Sequence, residues 1–212
     1  MKILLLFLLA VCGDIYFAHG QNDSQAIRVL DSFSSNASKA PSVSMTFRMI
    51  SADLSEIRSD TLDGSIILSG DKYKLILGEN TVWHNGETIW NYLSAEKEVT
   101  ITRPDKKDHS FQNRPSEIFS MYRSGFKSRL IEDRSDASVI DLYPEDIKSD
   151  LVRVRLIINK PDLNLRSLEY KSREGLVITL EISEYNLKRK PDHDTFVFHP
   201  ENYKGVEVYD MR

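Results

Sequence analysis

The chain is poor in cysteine, in glycine and in long hydrophobic runs. Cys12 is the single cysteine among 212 residues, which excludes a disulfide framework and leaves no thiol nucleophile after it. Beyond the first residues, no apolar stretch approaches the roughly twenty residues that a membrane-spanning helix needs. The net charge of −4 gives no basic footprint, so we expect no nucleic-acid partner. The sequence predicts one domain that depends on a single hydrophobic core.

Motifs for catalysis and for metal binding are also missing. The chain has no Gly-x-Ser-x-Gly elbow, no phosphate-binding glycine loop and no His-Glu-x-x-His. Asp192-His193-Asp194 groups three polar residues, but neighbours on a strand point to opposite faces, and the position after Pro191 is typical of a solvated turn. The sequence therefore predicts neither an enzyme nor a bound metal or other cofactor.

The one apolar run lies at the N-terminus and predicts a secretory signal peptide over residues 1–20. Lys2 supplies a minimal positive region, Ile3 to Val11 form the apolar region, and Ala18-His19-Gly20 is a small-x-small cleavage site. A lipid anchor on Cys12 is the alternative, although valine before that cysteine fits a lipobox poorly. We expect an exported mature form that begins near Gln21.

Alternating apolar and polar residues dominate the rest of the chain. From Val43 to Met49 apolar residues occupy every second position, which is typical of a half-buried strand. Asn85-Gly86 suits a type I′ hairpin turn, because both central residues of that turn take positive φ. About eleven strands are predicted, at 43–49, 64–68, 72–77, 87–93, 98–102, 138–142, 152–158, 163–170, 176–182, 195–198 and 206–208.

Two helices interrupt this pattern. Ile27, Leu30 and Phe33 recur at spacing three behind an Asp23 cap and predict an amphipathic helix. A second, short helix is predicted from Pro115, which is suited to a first helical turn, to the stop at Gly125. The fold class is therefore mainly β with α, and residues 21–212 are expected to form a single domain.

Five segments in order resemble a known family. They are Asn85-Gly86-Glu87-Thr88-Ile89-Trp90-Asn91-Tyr92, the strand Lys97-Glu98-Val99-Thr100-Ile101, the stretch 113–126, Phe196-Val197-Phe198 and the ending 203–210. Together they are similar to LolA-type periplasmic carriers of bacterial lipoproteins, and the stretch 113–126 resembles the mid-chain helix of the Bacteroidetes-like branch.

The resemblance implies an unclosed antiparallel β half-barrel whose concave face is covered by helices that act as a lid. It also implies a periplasmic monomer without catalytic activity. Such a carrier would take acylated lipoproteins from an inner-membrane ATP-driven lipoprotein-releasing complex and pass them to an outer-membrane acceptor.

The apolar residues suggest where acyl chains would lie. The expected lining of the lipid-binding cavity is Met45, Phe47, Met49, Tyr73, Leu75 and Trp90. The expected lid residues are Ile27, Leu30, Phe33, Ile118, Phe119 and Tyr122. These residues could equally fill a dry core, and both Ile89 and Trp90 are candidates for the inward face of their strand.

One departure from the family affects the lid. Family members usually carry an Arg-Pro pair before the aromatic strand, where this chain has Ser69-Gly70. We therefore expect the lid to be held mainly by apolar contact, which is non-directional. Two other functions stay open: a periplasmic protein that binds a lipid or another small hydrophobic ligand, and a lipoprotein-sensing regulator on the same fold.

Overall fold

The computed structural model describes residues 23–56, 58–105 and 114–212. Within these ranges the chain forms one α-helix, four short 3-10 helices and twelve strands. The helix is α1 (Ser24–Lys39), and the 3-10 helices are Pro115–Phe119, Met121–Arg123, His193–Phe196 and Pro200–Asn202. The strands are β1 (Val43–Asp53), β2 (Arg58–Ser69), β3 (Lys72–Leu77), β4 (Asn80–His84), β5 (Ile89–Leu93), β6 (Glu98–Thr102), β7 (Phe126–Asp133), β8 (Ala137–Pro144), β9 (Leu151–Asn159), β10 (Leu165–Ser172), β11 (Leu176–Asn186) and β12 (Glu207–Asp210).

All twelve strands belong to one open sheet. Their order is β12-β6-β5-β4-β3-β2-β1-β11-β10-β9-β8-β7, and every neighbouring pair is antiparallel except β12 with β6. The strands β12 and β7 are the two edges, so the sheet does not close. The long central pair of β1 with β11 joins the halves of the chain. This architecture confirms the predicted fold class, a mainly β, unclosed half-barrel.

The strand count differs from the prediction at three places. The short β4 and the charged β7 carry few apolar residues in alternation, so periodicity missed both. The predicted strand at 195–198 is wrong, because a 3-10 turn ends at Phe196 instead. Phe196 and Phe198 are both buried. Their apolar character thus reflects packing against the sheet and not pairing within it.

The helix α1 begins where its sequence provides a cap. The Asp23 carboxylate accepts hydrogen bonds from the backbone N–H of Gln25 at 2.8 Å and of Ala26 at 3.3 Å, which satisfies two free donors of the first turn. Lys39 lies in the last turn, where the helix dipole favours a cation. The helix ends before Pro41, since the residue that precedes a proline avoids helical backbone angles.

The predicted second helix is two 3-10 turns. Pro115 opens the first turn as expected, but Ser120 between the turns has φ −132°, which is not helical. A 3-10 segment rarely extends beyond a few residues because its hydrogen bonds are poorly aligned. The second turn, Met121–Arg123, ends just before Gly125, whose φ is +79°.

The predicted type I′ turn at Asn85-Gly86 is also wrong. Gly86 has φ +99°, but among the described non-glycine residues only Lys97 and Leu163 have positive φ. The Asn85 side chain instead accepts hydrogen bonds from the backbone N–H of Glu87 and Thr88. Asparagine often closes a turn in this way, and the loop is longer than a two-residue hairpin.

The sheet has an apolar cluster on each face. On the concave face, α1 and the two 3-10 turns at 115–123 pack over strands from both halves. On the outer face, Trp83 of β4 and Val99 of β6 pack with Phe198 from the C-terminal segment. The Trp83 and Phe198 rings lie 5.3 Å apart, edge to face, which is a favoured aromatic geometry. The C-terminal segment therefore covers the outer side of β4–β6.

Candidate functional site

The candidate site is the space between the concave face and its cover. All six predicted lid residues lie in the concave apolar cluster; Leu30, Phe33, Ile118 and Tyr122 are buried, and Ile27 and Phe119 are partly buried. The rings of Phe33 and Phe119 lie 5.2 Å apart. We call α1 and the turns Pro115–Phe119 and Met121–Arg123 together the cover.

Polar contacts fasten the parts of the cover to one another. The Tyr122 hydroxyl donates a hydrogen bond to Asp31 of α1 at 2.6 Å. Arg123 donates to the Tyr122 oxygen at 3.0 Å and to the Ser34 hydroxyl of α1 at 3.2 Å. Burial, followed by the bond to Asp31, raises the pKa of the Tyr122 phenol above its usual range. The phenol therefore remains a neutral donor at physiological pH.

Another set of polar contacts ties α1 to the sheet. The backbone N–H of Asp23 donates to the carbonyl of Ser128 at 3.0 Å, and its carboxylate accepts from the N–H of Leu130 at 3.2 Å. At the other end of the helix, Asn36 donates to the carbonyl of Asp162 at 3.1 Å. The expectation that the cover is held mainly by apolar contact stays a prediction, since all six lid residues lie in the concave apolar cluster. Arg123 supplies a clasp, but within the cover.

Beneath the 3-10 turns lies a hollow of about 500 Å³. We call it the covered hollow. It lies against β9 and β10, with Arg114 and Glu117 at its margin joined by a 3.0 Å ion pair. Its apolar lining is Ile118, Met121, Phe126, Leu151, Val154, Leu168 and Tyr170. Burial raises the pKa of the Tyr170 phenol, which keeps this wall uncharged.

A second hollow of about 430 Å³ lies over the concave side of β3–β6. We call it the side hollow. Its β3 wall is apolar and includes Tyr73 and Leu75, two of the predicted cavity residues. Its β4–β6 wall is mixed, with Asn80, Asn91, Thr100 and Thr102 beside Val82 and Ile89. Desolvation raises the pKa of Tyr73 to about 12, so its phenol is neutral.

The other predicted cavity residues occupy three kinds of position. Met45 and Phe47 are 6% and 5% exposed and belong to the packed core. Met49 is partly buried against that core. The expectation for Trp90 is wrong, because Trp90 pairs with Trp83 and packs in the outer cluster. Ile89, the open alternative, is the inward residue, since neighbours on a strand point to opposite faces.

A third hollow, of about 310 Å³, lies next to the first two, and we call it the His84 hollow. It shares Arg114 and Glu117 with the covered hollow, and Tyr73 with the side hollow. The Nδ1 atom of His84 lies 2.7 Å from the carbonyl oxygen of Asp71. Desolvation lowers the pKa of this imidazole. The neutral ring therefore carries its proton on Nδ1, and Nε2 is a hydrogen-bond acceptor.

Sequence reasoning missed the lining of the covered hollow. Leu151, Val154, Leu168 and Tyr170 belong to strands that alternation predicted, so the inward positions were readable. The sequence pattern did not predict that the 3-10 turns lie over β9 and β10, because that position depends on the tertiary fold. Phe126 was not identified, because the charged residues of β7 prevented the prediction of that strand.

The described residues offer few other groups for metal binding or for spanning a membrane. Within 23–56, 58–105 and 114–212, no three His, Cys, Asp or Glu side chains converge to hold a metal ion. His193 is almost fully exposed beside Asp194, in line with the predicted solvated turn. No helix among these residues is long and apolar enough to cross a membrane.

A family model described as outer membrane lipoprotein carrier protein LolA matches residues 16–160. The chain belongs to the LolA-like family. This match confirms the resemblance in the sequence at the level of the family, while membership of the Bacteroidetes-type branch stays a prediction. A search of curated protein sequences gives no match.

One solved structure shares this fold, and two others are more weakly similar. An uncharacterized conserved protein from Thermus thermophilus superposes with a TM-score of 0.58 at 13% identity, covering 88% of this chain and 99% of that one. A LolA superfamily protein from Nitrosomonas europaea gives 0.42 at 13% identity, covering 82% and 97%. The Mycobacterium tuberculosis lipoprotein LppX gives 0.40 at 14% identity, covering 80% and 100%. At these identities the likeness concerns the fold alone.

Proposed function

We propose that this LolA-like protein is a periplasmic carrier that shelters the acyl chains of lipoproteins between its concave face and its cover. The observation that carries this proposal is the covered hollow, whose volume of about 500 Å³ lies in the range of ligand pockets. Its wall is mainly aliphatic and aromatic, with the flexible side chain of Met121 at one side, and Ser120, Ser124 and Ser149 also line it. Methionine adapts to irregular apolar shapes because it is unbranched and polarizable.

The physical need for such a hollow follows from the cost of exposing lipid to water. Each buried CH₂ group contributes about 0.8 kcal/mol, so acyl chains need cover while they cross an aqueous compartment. A carrier of this kind needs an apolar space and no catalytic group. Residues 1–20 would direct export, and the donor and acceptor would be an inner-membrane ATP-driven lipoprotein-releasing complex and an outer-membrane acceptor.

The cargo tests this proposal directly. The protein is purified from the periplasm without detergent, and its bound material is identified by mass spectrometry. A co-purifying acylated lipoprotein supports the carrier. Free lipid or another small hydrophobic molecule alone favours a ligand-binding protein, and a membrane-protein tail favours a regulator; either result contradicts the carrier.

A matched pair of variants tests the location. Tyr170 lines the covered hollow, whereas Ile157 lies on the outer face of the neighbouring β9. Tyr170→Glu introduces a charge into the apolar wall, where desolvation is costly. We expect it to weaken binding of a triacylated lipopeptide at least tenfold, while Ile157→Glu, with the same change in charge, leaves binding unchanged. Equal losses in two folded variants would place the acyl chains elsewhere.

A further inference from the structure

The β4–β5 wall of the concave face carries buried polar atoms that no partner satisfies. Among the described residues, His84 Nε2, Asn80 Oδ1 and Asn91 Oδ1 are shielded from solvent and have no hydrogen-bond partner. His84 is only 6% exposed. Folded proteins leave few such groups, because an unpaired buried acceptor loses its hydration without compensation.

The three atoms belong to one surface. His84 and Asn80 lie on the concave side of β4, and Asn91 of β5 is paired with Val82 between them. Alternate residues of a strand are about 7 Å apart. His84 therefore lies one such step along β4 from Val82, the residue that is paired with Asn91. His84 lines the His84 hollow, and the two asparagines line the side hollow. We call these three residues the acceptor row.

The tautomer of His84 decides which chemistry the acceptor row can bind. The Nδ1–H of His84 donates a hydrogen bond to the Asp71 carbonyl, so Nε2 presents a lone pair. An asparagine Oδ1 likewise accepts. A ligand group that satisfies these atoms must donate N–H or O–H. Next to the asparagines the wall includes the apolar Leu75, whereas the His84 hollow is also lined by Asp71, Asp105, Glu117 and Arg114.

We propose that the acceptor row binds a hydrogen-bond-donating head group of an acylated ligand, whose chains occupy the covered hollow. The inference rests on the proposed function and adds to it the chemistry of the head. The His84 hollow adjoins both other hollows through shared lining residues, so the acceptor row lies close to the covered hollow. An amide N–H next to an acylated protein terminus and a glyceryl hydroxyl of a lipid share this donor chemistry.

Three probes that share one lauroyl chain and differ in the head group separate the contribution of the head group to binding from that of the acyl chain. N-methyl lauramide donates through N–H, 1-monolauroylglycerol donates through O–H, and methyl laurate has no donor. Affinities are measured by displacement of dansylaminoundecanoic acid from the full mature chain. We expect about fivefold tighter binding of each donor than of methyl laurate, the size of one net hydrogen bond.

The variants are His84→Phe, which keeps an aromatic ring beside Tyr73, and Asn91→Val, which leaves the Asp71 contact intact in case the first variant folds poorly. Each should reduce the preference for the donors over methyl laurate to less than twofold. Thr81→Val, on the outer face of β4, should change neither. The amide binding more tightly than the glyceride would identify an acylated protein as the source, and the reverse order a glycerolipid.

Two results overturn the inference. The first is equal affinity of the wild-type protein for all three probes, which leaves the carrier proposal standing. The second is a preference for donors that persists in both folded variants. If no probe binds at all, the proposed function fails, and the head-group site fails with it.

Discussion

The two halves of the concave face differ in how completely they are apolar. On the β8–β10 side, the inward residues Ile140, Leu142, Leu156 and Ile158 are fully buried beneath the cover. On the β3–β6 side, Leu75 is only partly buried, and its neighbours across β4–β6 include amides and hydroxyls. The β8–β10 half is therefore mainly packed core and would supply the acyl wall in the proposed carrier, whereas the β3–β6 half retains polar atoms that stability alone would not favour.

The largest expected effect compares the same substitution in the two halves. Leu156→Ala removes a fully buried side chain and should lower the free energy of unfolding by about 2–5 kcal/mol, because a cavity remains. Leu75→Ala should cost less than half as much, since its site is already a hollow. Denaturant unfolding with both variants measures this. Equal losses would show that the β3–β6 half is packed as tightly as the other.

The boundary between the halves depends on a close approach of Gly64 and Phe47. A Cβ atom on Gly64 would lie 2.7 Å from the Phe47 ring, so the ring would have to move. Gly64→Ala should therefore cost about 1–3 kcal/mol by overpacking. The control is Ser65→Ala, one residue away on the opposite side of β2. A Gly64 variant as stable as the Ser65 variant would mean that Phe47 moves freely.

Most strands and the helix α1 were predictable from local sequence patterns, whereas the open half-barrel was expected only from the resemblance to the LolA-type family. Alternation predicted nearly all strands, and the cap at Asp23 predicted α1, because both patterns involve residues that are close together in the sequence. The place of Trp90 was not predictable, because both faces of β5 carry apolar side chains. The C-terminal segment covers the outer face there, and only the tertiary fold shows that Trp90 packs beneath it.

The polar clasp of the cover was equally hidden from sequence reasoning. Tyr122 and Asp31 are separated by 91 positions along the chain, and nothing local pairs them. The family's arginine was sought near Ser69, whose hydroxyl instead donates to the carbonyl of Pro41. A contact between residues so far apart in the sequence produces no local periodicity, so sequence patterns do not predict it.

The third prediction concerns that clasp. Tyr122→Phe removes the hydrogen bond to Asp31 and should cost about 1.5 kcal/mol, as for a bond to a charged acceptor. Hydrogen exchange at residues 115–123 should become faster, because these turns then lose one of their ties to α1. Tyr143→Phe is the control, since Tyr143 makes a comparable bond to Asp141 on the outer face.

The same measurement separates a gated cover from a permanent one. In the wild-type protein we expect residues 118–122 to be less protected than β11, and their protection to change when a lipopeptide is added. Protection equal to that of β11 and insensitive to lipopeptide would make the turns a fixed part of the core. The gated carrier would then be contradicted even if Tyr122→Phe is destabilising.

The smallest expected effect lies at the start of α1, where one carboxylate joins the cover to β7. Hydrogen bonds from the N–H of Gln25 and then of Leu130 hold the pKa of Asp23 below its ordinary value of 3.8. A carboxyl whose pKa is lower in the folded state stabilises the fold above its unfolded pKa, and this contribution is lost as the pH falls through the folded pKa. Asp23→Asn keeps one oxygen to cap the helix but offers no second acceptor to Leu130. We expect a loss of about 1 kcal/mol at pH 7 that disappears as the pH falls through the folded pKa of Asp23, measured by urea unfolding from neutral to acidic pH. A difference between wild type and variant that is constant with pH would show that the Asp23 charge does not fasten α1 to the sheet.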